Sequence, residues 1–484
     1  MRGYSIQERS NNSPVIPNEL MEFINKDTYS LIIKGSAGTG KTTLSLTILR
    51  ALEIKDNFFY ICTRVSPKQL LTLYPWIAKF KENQEREKPN SETNETDAPI
   101  NFEDARLDEP ESLFERITNE LMDVRAPLII IDSWDAIASF MDREARLNNE
   151  RVLQTWQERA GAKLIFVSED SSNTSLDFVV DGAVKLDQVF HQDIMIREIS
   201  LMKLRGIKIR KPSYMFTLYK GNFQSIQAHN PKNFIINLDS INFLQFNKKK
   251  NTRRSLLCEH GLIKSGYNEL DTNLGGGFPK RGIVLIEVES GINILIALAF
   301  LFKIMATFLK FGNVVFFEPP EGADPTRLGL YFKSYLSVVQ ADLERFFWLW
   351  SKINGLTEPS SSWADKDQDD PLLRYLHENV VKEHQTDPNR LILSILPLNR
   401  LQRLDPRNKM KHLSYARQNI DLTIFIAREN EPIPWTLEIC DMILKVSVIK
   451  GSLFLRPLYP PSPILAMEVN NSFGYPRLKL IPLV

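Results

Sequence analysis

Short apolar runs, each closed by a polar residue, alternate along this chain with stretches whose apolar positions recur every three or four residues. The runs at Leu31–Ile33, Phe58–Cys62, Leu128–Ile131 and Lys163–Val167 predict strands. Between them, Leu44, Leu46, Ile48 and Leu49, then Leu70, Leu71 and Leu73, then Leu113, Phe114, Ile117 and Leu121, predict helices, as do residues 141–160 and the short stretch 18–25. Strands and helices in this alternation predict a parallel sheet with helices on both faces. From Asp193 the pattern changes: Ile194, Ile196, Ile199 and Leu201, running into Met202–Gly206, and then residues 214–219, with a turn at Gly221-Asn222, predict an antiparallel extension of that sheet. Residues 81–110 are polar, charged and punctuated by prolines, which predicts a mobile surface loop without a packed core.

One stretch carries chemistry at high specificity. The Leu31-Ile32-Ile33-Lys34 run leads straight into Gly35-Ser36-Ala37-Gly38-Thr39-Gly40-Lys41-Thr42-Thr43, and a helical pattern follows at once. This is G-x-x-x-x-G-K-T between a strand and a helix, the context a phosphate-binding loop requires. Glycines allow the tight turn, successive N–H groups face phosphate oxygens, and the helix N-terminus adds partial positive charge. Lys41 is expected to reach the terminal phosphates of a nucleoside triphosphate, and the Thr42 hydroxyl to hold Mg²⁺. The run Leu128–Ile131 ends in Asp132, which by itself suits a helix cap and, beside an upstream phosphate loop, suits the magnesium shell.

Composition narrows the remaining choices. The chain has 484 residues, enough for two domains, and 60 basic against 59 acidic side chains give a formal charge of +1. That balance argues against a broad nucleic-acid surface. The three cysteines, Cys62, Cys258 and Cys440, are far apart without metal-ligand spacing, and residues 1–17 lack the apolar core of a signal peptide, so a reducing cytoplasm is expected. A basic stretch, residues 247–254, predicts an exposed linker dividing 1–246 from 255–484. Residues 294–311, ILIALAFLFKIMATFLKF, approach the length of a bilayer helix, but Lys303 sits in the middle, and a buried helix of a second α/β domain is expected instead.

With these residues in hand, the first half resembles the KaiC/GvpD/RadA group of RecA-like ATPases. The likeness rests on GSAGTGKTT, LIIIDS, VVDGAVKL and MKLRG, in that order, over about residues 18–226. TRVSP after the second strand resembles archaeal GvpD-like regulators more than KaiC. The resemblance implies a homo-oligomeric ring, hexameric in typical members, with nucleotide between neighbours. It also implies that Lys203 and Arg205 reach the neighbour's phosphates; as residues alone they are equally well solvated charges on an edge strand. The second half is a weak echo of the first. Laying Leu31 on Val284 puts Val288, Asn293, Ile294 and Leu295 where the first half has Gly35, Gly40, Lys41 and Thr42. The strand at Leu391-Ile392-Leu393 is expected to end in Ser394, not an aspartate. The fold class expected is therefore α/β, two tandem RecA-like P-loop folds of which the second is degenerate. Its middle, residues 358–370, is again polar, and residues 456–484 carry no interpretable motif.

The first half departs from its group as well. Where KaiC-like ATPases place adjacent glutamates after the second strand, this chain has Arg64 and Val65, and arginine cannot act as a general base. Asp135 and Glu169 are substitute candidates, though each reads more readily as a capping or solvent-facing carboxylate. The function expected is an ATP- and Mg²⁺-binding cytoplasmic regulator, a slow ATPase or nucleotide switch acting through a protein partner. A DNA-dependent recombination or repair ATPase of RadA type is the alternative, and an autokinase like KaiC is disfavoured by the missing lysine and aspartate of the second half.

Overall fold

A computed structural model describes residues 16–54, 57–77, 102–121, 124–170, 175–191, 194–230, 256–257, 261–323, 328–329, 332, 345–349, 370–429, 436–470 and 477–484. The chain divides into two units, residues 1–227 with 483–484, and residues 228–482. The basic stretch 247–254, Cys258 and the polar residues 81–101 and 358–369 lie outside the described residues.

In the first unit the strands are β1 (Tyr29–Lys34), β2 (Phe58–Cys62), β3 (Phe102–Asp104), β4 (Leu128–Asp132), β5 (Lys163–Ser168), β6 (Gly182–His191), β7 (Ile194–Leu204), β8 (Ser213–Thr217) and β9 (Gln224–Ser225). They form one sheet in the order β3-β2-β4-β5-β1-β6-β7-β8-β9. Pairing is parallel from β3 to β6 and antiparallel from β6 to β9. All six residues of β1 are buried, as expected of a central strand covered on both faces. The sequence pattern anticipates β7 and β8 as an antiparallel pair, but not β6, which joins them to the parallel half. Within the stretch read as a loop, residues 102–104 form the edge strand. Phe102 is buried there and stacks on Tyr60 with ring centroids 5.2 Å apart, an aromatic contact that overrides the polar surroundings.

The second unit repeats this plan. Its strands are β10 (Leu262–Ile263), β11 (Phe278–Pro279), β12 (Gly282–Val288), β13 (Val314–Phe317), β14 (Phe346–Trp348), β15 (Ile392–Pro397), β16 (Leu422–Arg428), β17 (Met442–Ile449), β18 (Ser452–Tyr459), β19 (Leu465–Asn470) and β20 (Arg477–Pro482). β10 and β11 pair with each other, and the rest are ordered β14-β13-β15-β16-β12-β17-β18-β19-β20. Registers match as well as order. Leu31 pairs with Gly182 and Ile165, and Val284 with Met442 and Ile424, so β1 and β12 hold the same place in their sheets. Two tandem RecA-like sheets are thus present. One expectation is corrected: the strand at residues 391–393 does not end in Ser394 but runs on to Pro397. Through β5, Asp132 is level with Ile33, and through β16, Pro397 is level with Ile286, the counterpart of Ile33. A proline stands where the first unit has its carboxylate.

The apolar segment starting at Ile294 is a helix, Ile294–Lys310, packed into the second unit's core. Its lysine is accommodated by an aromatic face, with Lys303 Nζ 4.1 Å from the centroid of Tyr267. Among the described residues no helix is long and apolar enough to cross a membrane.

Two helices covering this second sheet, Pro371–Thr386 and Pro406–Asn419, begin alike, with Asp370 and Asp405 as caps and proline at the start. They bring His377 and His412 together, Nε2 to Nδ1 at 2.9 Å, with Tyr415 stacked on His377. His412 is 3% exposed and its Nε2 has no partner. Burial, with His377 beside it, pushes its pKa down to about 3. The folded chain therefore binds fewer protons here than the unfolded chain, and stability falls as pH drops through the unfolded value near 6.5 toward 3. Between pH 7.5 and 5.5 this group alone should remove about 1.4 kcal/mol. Urea unfolding at the two pH values should show a loss smaller by about that amount in His412→Gln than in the unsubstituted chain.

Candidate functional site

β1 ends at Lys34, and the chain turns through Gly35–Gly40 before the helix Lys41–Ala51 begins. Gly35, Gly38 and Gly40 have φ of +150°, +77° and +103°. A Cβ at Gly35 would lie 2.4 Å from the carbonyl oxygen of Leu186 on β6, and one at Gly40 would lie 2.8 Å from Leu218. The loop is therefore pressed onto the sheet so closely that only hydrogen fits. Thr39 Oγ1 donates to the Ser36 carbonyl at 2.8 Å and closes the turn. Ser36, Ala37 and Gly38 face outward, whereas Lys41 and Thr43 are buried.

The side chains that follow the loop converge on the end of β4. Thr42 Oγ1 donates to Asp132 Oδ2 at 2.7 Å, and the Tyr60 hydroxyl donates to the same oxygen at 2.7 Å. Thr43 Oγ1 meets the Tyr74 hydroxyl at 2.8 Å, and Lys41 Nζ donates to the carbonyls of Gly35 at 2.7 Å and Ser36 at 2.9 Å. Ala37, Gly38, Gly40, Lys41, Thr42 and Thr43 line a cleft of about 330 Å³ together with Tyr60, Arg64, Tyr74, Asp132, Glu169 and Leu218. Gly35 and Thr39 are buried behind the loop, and Ser36 is exposed on it.

Burial pushes the Asp132 carboxyl above its usual range, against hydrogen bonds from Thr42 and Tyr60 and the charge of Lys41. Burial likewise pushes the Lys41 ammonium down, while Glu169, Asp132 and Asp135 pull it back up. A partly desolvated cation and a buried carboxylate, brought to the same cleft from the start of one helix and the end of β4, suit a ligand that brings phosphate to the one and a divalent cation to the other. The glycine loop, which Gly35 lets lie directly against Leu186, and the Thr42–Asp132 pair together fit a nucleotide with Mg²⁺.

Asp135 is not among the residues lining the cleft. Its carboxylate accepts from Ser168 Oγ at 3.1 Å and from the backbone N–H of Glu169, so it fastens the end of β5. Glu169 does line the cleft, held by Arg64 in an ion pair of 2.7 Å. Lys203 and Arg205 lie elsewhere. Lys203 is paired with Ala183, level with Ile32, away from the loop that leaves β1 after Lys34. Lys203 Nζ donates to the carbonyls of Asp177 (3.2 Å) and Val180 (2.6 Å), and Arg205 pairs with Asp181 at 3.1 Å. Neither is among the residues lining this chain's own cleft. Sequence reasoning missed Tyr60, Tyr74 and Leu218. A hydroxyl inside the apolar run Phe58–Cys62 was the one available signal for Tyr60; Tyr74 and Leu218 arrive from afar with none.

Residues 20–202 match the family model described as the GvpD gas vesicle protein, P-loop domain. Protein GvpD2 of Halobacterium salinarum is 21% identical over an alignment of 498 residues, covering 97% of this chain and 96% of the relative. Protein GvpD1 of the same organism is 26% identical over 294 residues, 57% of this chain and 50% of that protein. Circadian clock oscillator protein KaiC of Prochlorococcus marinus is 25% identical over 279 residues, 54% of this chain and 50% of that protein. The matches to GvpD1 and KaiC thus span about half the length of those relatives.

The cradle makes a stability prediction independent of any ligand. Gly35→Ala should destabilise the first unit by about 1–3 kcal/mol through backbone strain and the clash with Leu186. Gly38→Ala, with open space at its Cβ position, should cost less. Chemical denaturation of the two variants checks the order.

Proposed function

Because the first half of the chain is a KaiC/GvpD-like P-loop domain of the RecA superfamily, we propose that its cleft binds ATP with Mg²⁺ and that the protein acts as a nucleotide-controlled regulator through a protein partner. One observation carries the reading: the Thr42 hydroxyl and the Asp132 carboxylate meet at 2.7 Å beside a glycine cradle, with Lys41 at its rim. Gly35 to Thr43 would surround the phosphates, Lys41 would neutralise the terminal ones, and Thr42 and Asp132 would hold Mg²⁺. Bound Mg²⁺ supplies charge neutralisation of the phosphates. The chain's own residues position and enclose them.

Hydrolysis on this reading is slow. Arg64 and Val65 stand where KaiC-like ATPases carry adjacent glutamates, and of the two carboxylates considered as substitutes, Asp135 is engaged by the end of β5 while Glu169 alone lines the cleft. A nucleotide site that binds well and turns over slowly suits a switch, in which phosphate contacts bias one conformation. The relatives are named for gas vesicles and for a clock oscillator. A domain shared by both does not choose the process, so the regulated pathway is left to the partner.

Calorimetric titration with MgATP should show one nucleotide per chain, because Pro397, Ile294 and Leu295 stand in the second unit where carboxylate, lysine and hydroxyl are needed. Lys41→Ala should abolish binding while leaving the chain folded. Two equivalent sites, or a variant that binds as before, would overturn the reading.

Lys203 and Arg205 belong to the same proposal. They do not line the cleft of their own chain, so a role at the phosphates requires a neighbouring copy in a homo-oligomeric ring. Mixing Lys41→Ala with Arg205→Ala chains should then restore nucleotide-dependent activity that each lacks alone. Absence of restoration in mixed oligomers assigns both residues to the contacts they make within the chain.

A further inference from the structure

Strand order places the end of β4 between the ends of β2 and β5. Arg64 leaves β2 and Glu169 leaves β5, so their ion pair links the two strands flanking the one that carries Asp132. The backbone beside Arg64 is fixed on both sides. Thr63 N–H donates to the Asp132 carbonyl at 2.9 Å, and the Thr63 hydroxyl takes the Ser133 N–H at 2.6 Å. Two residues further on, Ser66 starts the helix Pro67–Leu73 through a reciprocal cap with Gln69. The TRVS loop is thus not a backbone that a ligand would rearrange; what can move is the side chain of Arg64. That side chain is 49% exposed and that of Glu169 33%. An ion pair this open to water is held weakly. A phosphate oxygen offers the guanidinium a stronger and bidentate partner.

Resting on the nucleotide-binding reading of the same cleft, we propose that Arg64 is the residue that tells a nucleoside triphosphate from a diphosphate. Its guanidinium exchanges the Glu169 carboxylate for the terminal phosphate, and Glu169 is released only when that third phosphate is bound. Lys41 cannot make this distinction alone, because its position serves both phosphates at the end of the chain of three. Arg64 lines the cleft from β2, beyond the strand that carries Asp132 as seen from the phosphate loop, so on this proposal the terminal phosphate is the one it meets. The exchange also links the identity of the nucleotide to a freed carboxylate beside Lys41, whose charge Glu169 already influences.

The test is equilibrium titration of the full chain with adenylyl imidodiphosphate and with ADP, both with Mg²⁺, in the unsubstituted protein, Arg64→Gln and Glu169→Gln. The ratio of triphosphate to diphosphate affinity should fall about tenfold in Arg64→Gln, the loss of one charge-assisted phosphate contact. It should rise in Glu169→Gln, where the guanidinium has lost its competitor. Thermal melts of both variants confirm that they fold. A ratio unchanged in Arg64→Gln, or lowered in Glu169→Gln, overturns this inference while leaving the nucleotide site intact. Failure of the unsubstituted chain to bind either nucleotide overturns the site itself.

Discussion

The contact between Thr42 and Asp132 is the constraint on which the first unit's site depends. It ties the first turn of the Lys41–Ala51 helix to the end of β4, and Tyr60 reinforces it from β2 through the same carboxylate oxygen. Three elements distant in sequence are thereby fixed about one buried carboxylate. The helix start can make that contact only because the loop before it is pressed against β6, which in turn requires glycine at position 35. Moving the β4–β5 register by one residue would turn Asp132 to the other face of the sheet and leave Thr42 without its partner.

How much of this was legible in the sequence depended on the range of the signal. The phosphate loop, β1, β4 and the helices around them are written in contiguous patterns, and each lies where the apolar periodicity predicts. The partners that arrive from other elements left no local trace. Tyr74 reaches Thr43 and Leu218 covers Gly40 only because the chain folds back twice. The fate of Asp135 was open for a similar reason: one turn past Asp132 it could face the cleft or the neighbouring strand, and the hydrogen-bond donors at the end of β5 decide it. The C-terminal region failed differently. With prolines at positions 457, 460, 461 and 463, residues 456–484 carry no interpretable motif. Yet β18, β19 and β20 form an antiparallel meander with these prolines in or beside the turn and edge positions that tolerate them.

The second unit shows the same sheet with different groups, among the described residues, at the positions that form the cleft of the first. Its central strand keeps the neighbours and registers of β1, so the sheet does not depend on nucleotide chemistry. Pro397 has no acidic group to offer at the position of Asp132. Three residues further, where the first unit has Asp135, Arg400 instead forms ion pairs with Glu318 and, at 3.1 Å, with Asp370. The Glu318 carboxylate is pushed up by burial and brought back by Arg400. Among the described residues these three charges satisfy one another, and the energetic value of such a group lies in specifying the local arrangement more than in stability.

The same comparison explains the segment that imitates a membrane helix. Aligned on β1 and β12, Thr42, Thr43, Ser45 and Thr47 correspond to Leu295, Ile296, Leu298 and Phe300. In the first unit each hydroxyl has an assigned contact: Thr42 with Asp132, Thr43 with Tyr74, Ser45 with Tyr60, and Thr47 with the carbonyl of Thr43. A helix that holds a site must keep such groups even though it is buried, and each buried hydroxyl must be hydrogen-bonded to be tolerated. Without the site that requirement disappears. Hydrocarbon in the same positions fills the same space at lower desolvation cost, and Ile296, Leu298 and Phe300 are indeed fully enclosed in the core. The high hydropathy of residues 294–310 is therefore that of a helix which holds the place of Lys41–Ala51 in its sheet and is given over to packing.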